Sequence, residues 1–154
     1  MAFPRRKREE LEARLAAEWA QDRHPKAQLE FRAWLGPLST FLEGASYQVF
    51  NPRLYEVLGK WADVIACYTD RAVLAEVKVK LRPEALGQLL IYRDLFLRTP
   101  RFSAWKKLPL QAICVYAVGD EATERALAAS SITTERYCPS WAREAYYKRI
   151  AHEP

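Results

Sequence analysis

Three charged side chains with the chemistry of a hydrolytic site lie within residues 62–80. Glu76 and Lys78 alternate with apolar residues in the run AVLAEVKVKL, and Asp63 lies near the start of the preceding run, ADVIACYT. Two carboxylates suit a hard cation such as Mg²⁺. A lysine beside them can hold or help to deprotonate an attacking water, while the metal neutralises charge on a phosphate. These residue types therefore indicate metal-assisted hydrolysis of phosphodiester bonds.

Strand pairing decides whether these groups can meet. A two-residue turn at positions 70–71 would place Asp63 opposite Lys78 and diagonal to Glu76, with the carboxylate-bearing Cβ atoms roughly 7–8 Å apart or less. Because side chains alternate along a strand, all three groups then share one face. A four-residue loop keeps this register, whereas a three-residue loop moves Asp63 to the other face. The alternative interpretation is a half-solvated strand with ordinary alternating charges.

The spacing also resembles a known signature. Asp63, twelve intervening residues and then Glu76-Val77-Lys78 are similar to the D…(D/E)-x-K pattern of the PD-(D/E)XK nuclease superfamily. Ala62 stands in place of the name-giving proline, which varies widely in that family. The resemblance covers about residues 45–118. It implies that Asp63 and Glu76 bind the metal with help from the backbone carbonyl of Val77, and that Lys78 positions the water.

The resemblance further implies supporting residues outside the hairpin. Gln88 and Tyr92 match the Gln-x-x-x-Tyr of the RecB-like branch and would contact the substrate or steady the site. They lie one helical turn apart and can face one place, although a polar edge on a buried helix would give the same pattern. The family often adds a glutamate from its first core helix. Glu30 is the preferred candidate here, with Glu18 and Glu56 as alternatives.

The elements expected around the hairpin form a mixed sheet flanked by helices. Residues 1–44 are predicted to be helical, although QLEFRAWL also suits a strand, and LSTFLEG is a possible short helix. Short β-rich runs follow from SYQVF and LYEVL onward, then a helix in RPEALGQLLIYRDLFLRTP, a buried strand in LQAICVYAV, and helices in DEATERALAAS and PSWAREAYYKRI. This order predicts one α/β domain over 1–154, with C-terminal helices in 119–154. The resemblance implies a restriction-endonuclease-like core.

The composition limits the class of protein. The chain has 154 residues, half of them hydrophobic, and a net charge of +5, which favours a nucleic-acid partner. Its three cysteines lack C-x-x-C spacing and its two histidines lie at opposite ends, which argues against a disulfide framework, a zinc site or a histidine-based centre. With no membrane-length apolar run and no apolar segment after the basic start, we expect a cytoplasmic protein without a membrane partner.

The expected function is that of a Mg²⁺- or Mn²⁺-dependent nuclease acting on nucleic acid, with DNA preferred and a homodimer compatible with the size. One alternative is a catalytically inactive nucleic-acid-binding or assembly protein on the same fold. Another is a structural protein with a merely charged strand. The basic run at 5–8, Lys80, and the pair at 106–107 beside Trp105 could contact phosphates, but solvated surface is the more common role of such groups.

Overall fold

In a computed structural model, residues 5–36 and 60–150 are described, and they build a five-stranded mixed sheet with helices on both faces. The helices are α1 (Arg5–Arg23), α2 (Glu84–Phe96), α3 (Glu121–Ala129) and α4 (Ser140–Ile150), with a 3₁₀ segment at Pro100–Trp105. The strands are β1 (Gln28–Leu35), β2 (Lys60–Cys67), β3 (Ala72–Lys80), β4 (Leu110–Val118) and β5 (Thr133–Arg136). They lie side by side in chain order.

The sheet changes from antiparallel to parallel at β3. The β1–β2 and β2–β3 pairs are antiparallel, whereas β3–β4 and β4–β5 are parallel. Parallel neighbours need a long crossover, and the 13-residue α2 supplies it between β3 and β4. Asp120 accepts a hydrogen bond from the Thr123 backbone N–H at 3.1 Å and so caps α3, which leads into β5.

Strand β3 is the central strand and is buried on both faces. Val73, Ala75 and Val77 pack under α1, whereas Leu74 belongs to the cluster under α2. A strand covered on both sides by helices is a nearly continuous apolar run, as β3 is. A charged residue in its middle is therefore not part of a solvated ladder, and Glu76 is only 3% exposed.

The hairpin turn differs from the predicted one. Cys67 pairs with Ala72, so the loop contains four residues rather than two, and the Tyr68 N–H donates to the Arg71 carbonyl at 2.9 Å. The predicted two-residue turn at positions 70–71 is wrong, and the observed pairing is shifted by two residues, so that position 63 lies opposite position 76 rather than 78. Because side chains alternate with a period of two, a shift of two keeps Asp63 on the predicted side of the hairpin and moves it closer to Glu76.

The main difference between the predicted and the observed elements lies in the first half of the sequence. The helical interpretation of residues 26–36 is wrong, and the strand alternative is confirmed, because this segment pairs along β2. The short β5 was not predicted, since TTER has no apolar residue. The expected helix LSTFLEG and the runs SYQVF and LYEVL lie outside the described residues.

The predicted fold class is confirmed. A mixed sheet flanked by helices, with an N-terminal helix, is the restriction-endonuclease-like α/β architecture. Helix α2, strand β4 and helices α3 and α4 all form where their sequence patterns place them. Within 5–36 and 60–150, no helix combines the length and apolar composition needed to cross a membrane.

Candidate active site

Strands β2 and β3 pair over a short length and then separate. Residues 64–67 pair with 72–75; beyond them β2 continues along β1 and β3 continues along β4. Asp63 and Glu76 are the first residues past the last pair, so both lie where the two strands part. We call this place the strand fork.

Asp63 closes part of the fork through its side chain. Its Oδ2 accepts a hydrogen bond from the Val77 backbone N–H at 2.8 Å, in the position where a ladder bond would otherwise run. Because the N–H and C=O of one strand residue point to the same edge, the Val77 carbonyl also faces the fork. Burial raises the pKa of Asp63, and the Val77 bond and the Lys78 charge oppose that rise.

Glu76 and Lys78 form a buried hydrogen-bonded pair beside Asp63. Lys78 Nζ donates to Glu76 Oε1 at 2.7 Å, while Glu76 Oε2 is buried without a hydrogen-bond partner in the described part of the chain. Burial and the Asp63 charge raise the pKa of Glu76 to about 8. Burial alone would lower the pKa of Lys78, but Glu76 and the neighbouring carboxylates raise it to about 12. Lys78 is therefore a cation at neutral pH.

Helix α2 brings Gln88 and Tyr92 to the same cavity. Both line a space of about 310 Å³ together with Asp63 and Glu76. Gln88 Oε1 is buried and, among the residues described, has no hydrogen-bond partner. Burial and the Glu76 charge raise the pKa of Tyr92 to about 12, so its hydroxyl stays protonated. The structure therefore brings these two residues together with the hairpin.

Glu12 of α1 reaches this cavity, although the sequence analysis did not select it. Burial raises its pKa, the Lys78 charge lowers it and the Asp63 charge raises it, so the three groups are close. A signal for it existed in the sequence. The buried face of α1 starts at Leu15 and Ala16, which follow Glu12 by three and four residues. Residues at this spacing share one face of a helix, so Glu12 lies on the buried face one turn earlier.

The structure places neither Glu30 nor Glu18 in the cavity. Glu30 lies in a neighbouring groove and pairs with Arg101 at 2.5 Å. Glu18 accepts from the Trp141 indole N–H at 2.7 Å and pairs with a neighbouring arginine of α1. Glu56 lies outside the described residues.

The donor set fits a divalent metal ion. Glu76 and Gln88 each hold a buried oxygen without a partner in the described residues, burial raises the pKa of both Asp63 and Glu76, and the Asp63 charge raises that of Glu76 further. A cation would relieve both costs. Across the described ranges, no three His, Cys, Asp or Glu side chains are grouped as a complete metal site. Mg²⁺ ordinarily uses one or two carboxylates together with waters and substrate phosphates, so a pair suffices.

A second cavity adjoins the first and is strongly basic. It has a volume of about 260 Å³, and Glu12 and Gln88 line both cavities. Lys78 also lines it, and four further cations surround it: Arg8, Lys80, Arg82 and Arg149. The positive charge next to the acidic fork suits the phosphates of a nucleic-acid backbone.

The fold places the chain in the restriction-endonuclease-like α/β class, and comparisons with known proteins add little to this. No family model matches the chain, and no curated protein matches it by sequence. Among solved structures it is similar to a repair endonuclease from Pyrococcus abyssi, with 14% identity and a TM-score of 0.48. The similarity covers 90% of this chain and 49% of that one, so the chain spans about half of its length. A TM-score at this level carries no conclusion about function.

Proposed function

We propose that the chain is a metal-dependent nuclease of the PD-(D/E)XK type that hydrolyses phosphodiester bonds, with DNA as the expected substrate. One observation carries the proposal. Asp63, Glu76 and Lys78 meet at the strand fork, and the cavity lined by Asp63 and Glu76 also holds the unpartnered oxygens of Glu76 and Gln88. A fold class alone would not support it, since one fold serves many functions.

The proposed role of each residue follows from its charge and its position. Asp63, Glu76 and the Val77 carbonyl would hold Mg²⁺ or Mn²⁺, which when bound would lower the pKa of a water and neutralise charge on the phosphate. Lys78 is protonated at neutral pH, so it donates hydrogen bonds to the attacking water and to phosphate oxygens. Gln88 offers its unpartnered oxygen to the same water and so orients it.

The basic cavity supports nucleic acid as the substrate. The strand on both sides of the cleaved bond carries a phosphate at each nucleotide, and Lys80, Arg82 and Arg8 stand next to the fork. Charge attraction of this kind supplies most of the sequence-independent affinity for nucleic acid and weakens with salt. Binding to wild type should therefore fall steeply as salt is raised.

The alternative is a catalytically inactive nucleic-acid-binding or assembly protein on the same fold. The Lys78–Glu76 hydrogen bond favours it, because the ammonium takes an oxygen that a metal would use. Such a protein would bind nucleic acid in EDTA in a salt-sensitive way and cut nothing.

A cleavage panel tests the proposal. Labelled single-stranded, duplex and branched DNA and RNA are incubated with Mg²⁺, Mn²⁺ or EDTA and wild type, Asp63→Ala or Asp70→Ala. Asp70 is the matched control, because its carboxylate lies in the hairpin turn and is 72% exposed. We expect metal-dependent cutting by wild type and Asp70→Ala that Asp63→Ala loses. Equal cutting by all three proteins would indicate contamination, and binding without cutting would favour the inactive alternative.

Glu12 provides a second test of the same site. Its carboxylate stands next to the Asp63–Lys78 group, so Glu12→Gln should reduce both the cleavage rate and Mn²⁺ affinity by about 10–100-fold. Glu10→Gln and Glu30→Gln should retain wild-type values, since Glu10 is exposed on α1 and Glu30 pairs with Arg101. Single-turnover cleavage and calorimetric Mn²⁺ titration measure the two effects. Loss in Glu30→Gln but not in Glu12→Gln would reverse the assignment.

A further inference from the structure

A surface of aromatic and cationic side chains continues from the strand fork onto the first two strands. We call it the β1–β2 platform, and it consists of Phe31, Arg32 and Trp61. All three line the cavity that contains Asp63, and all three also line the open groove next to it. The platform is therefore continuous with the candidate active site.

Packing against Trp34 restrains the Trp61 ring. It lies on β2 two residues before Asp63, and the buried Trp34 packs against it edge-on with ring centroids 4.0 Å apart and an interplanar angle of 82°. The Arg32 guanidinium carbon lies 5.5 Å from the Trp61 ring centroid. A ring fixed in this way loses little freedom when a flat ligand stacks beside it.

Phe31 is an exposed aromatic side chain that lines the same groove and cavity as this ring. It is 44% exposed although it lies on a strand whose partner residue, Val64, is fully buried. An isolated exposed phenylalanine would need no explanation, but one that lines a cavity together with an indole and a guanidinium is typical of a recognition surface.

The backbone at Arg32 is strained. Its φ is +50°, in the left-handed region that disfavours every residue except glycine, and such strain concentrates at ligand-binding positions. The register pairs the residues on either side of Arg32 with β2 and leaves Arg32 beside Asp63. Leu29 packs in the cluster under α1, but Ala33 and Leu35 pack in the cluster under α2. The strand thus reverses its faces at Arg32 and turns this side chain to the site.

We propose that the β1–β2 platform stacks an unpaired base next to the cleaved bond, so that the substrate is single-stranded nucleic acid or a single-stranded segment beside a duplex. The inference rests on the proposed function and names its substrate class. A base inside a duplex has both faces covered by its neighbours, whereas an unpaired base can stack on an aromatic ring. The charge of the groove agrees, since Arg32 and Arg101 line it, and Glu30, the one carboxylate among the described residues that line it, is paired with Arg101.

Binding in EDTA tests the stacking without cleavage. Fluorescence anisotropy measures the affinity of wild type, Phe31→Ser and Leu97→Ser for a labelled single strand and for the blunt duplex of the same sequence. Phe31→Ser should weaken single-strand binding by about fivefold to a hundredfold and leave duplex binding unchanged. Leu97→Ser is the control, because Leu97 is similarly exposed, at 40%, and lines neither the groove nor the cavities. Thermal melting checks that each variant is folded.

An abasic strand removes the stacking partner without changing the protein. Wild type should bind a strand with consecutive abasic sites more weakly than the intact strand, and Phe31→Ser, which keeps Trp61, should show a smaller difference between the two strands. If wild type cuts nucleic acid but Phe31→Ser binds the intact single strand as wild type does, the platform proposal fails and the nuclease proposal stands. If wild type neither binds nor cuts any nucleic acid, the proposed function itself fails.

Discussion

Replacing Lys78 with methionine should lower the rate of phosphodiester cleavage by about 10²–10³-fold, the usual cost of removing one fixed donor to developing negative charge. The Lys78 side chain is 17% exposed and its Nζ lies 2.7 Å from Glu76 Oε1, so its charge is held at the strand fork. Methionine keeps the apolar stem and removes only the charge. Single-turnover cleavage at saturating enzyme measures the effect.

Lys80→Met is the matched control for this experiment. Lys80 lies two residues further along β3, and its Nζ donates to the Gly119 carbonyl at 2.6 Å rather than to the carboxylate pair. Because Lys80 lines the basic cavity, its loss should weaken substrate binding but leave the saturated rate unchanged. Lys78→Met should also bind Mn²⁺ more tightly, since the ammonium no longer competes for Glu76. Equal saturated rates in Lys78→Met and wild type would contradict the proposed role.

The second large effect concerns stability, and here a substitution at the site should stabilise the protein. Burial and the Asp63 charge raise the pKa of Glu76 from 4.5 to about 8. The folded chain therefore keeps a proton on Glu76 that the unfolded chain releases between these two values. In this window the metal-free protein loses stability as pH rises, by up to about 1.4 kcal/mol per pH unit.

Asp63→Asn should remove the part of that loss that the Asp63 charge causes, while the larger part, which burial causes, remains. Asparagine can still accept the Val77 N–H bond, but it carries no charge to oppose Glu76. In EDTA at pH 8 the variant should melt several degrees above wild type, at roughly 2–4 °C for each kcal/mol, and the difference should vanish near pH 4. Adding Mg²⁺ should raise the melting temperature of wild type more than that of the variant. Asp70→Asn is the exposed control, and a higher melting point for wild type at pH 8 would contradict this account.

The sequence was sufficient to predict the hairpin and the elements after it, because each has a local cause. The alternation in β3 and the apolar helix α2 between two prolines follow from neighbours in the chain. The turn was predicted two residues too short. Asp-Arg at 70–71 is not one of the glycine-containing pairs that specify a two-residue loop, so sequence alone does not fix the register.

The first half of the chain was less predictable because its structure depends on distant contacts. Residues 28–35 have a pattern that suits a helix or a strand, and pairing with β2 decides for the strand. The left-handed Arg32 then reverses the strand's faces, which no period-two pattern can express. Glu12 joins the site only because α1 crosses the sheet near the fork, and that placement is a matter of tertiary packing.

The four-residue loop between β2 and β3 also has a consequence for the order of folding. Asp63 and Lys78 lie within 16 consecutive residues, and the pairing that joins them closes the shortest connection in the described sheet. Short loops cost little entropy to close, and hairpins form within about 1–10 μs, whereas parallel pairings such as β3–β4 must first order a long crossover. We therefore expect the pairing of β2 with β3, which brings Asp63 and Lys78 together, to be among the first contacts made as the chain folds. It should form before the helices that bury these residues are in place.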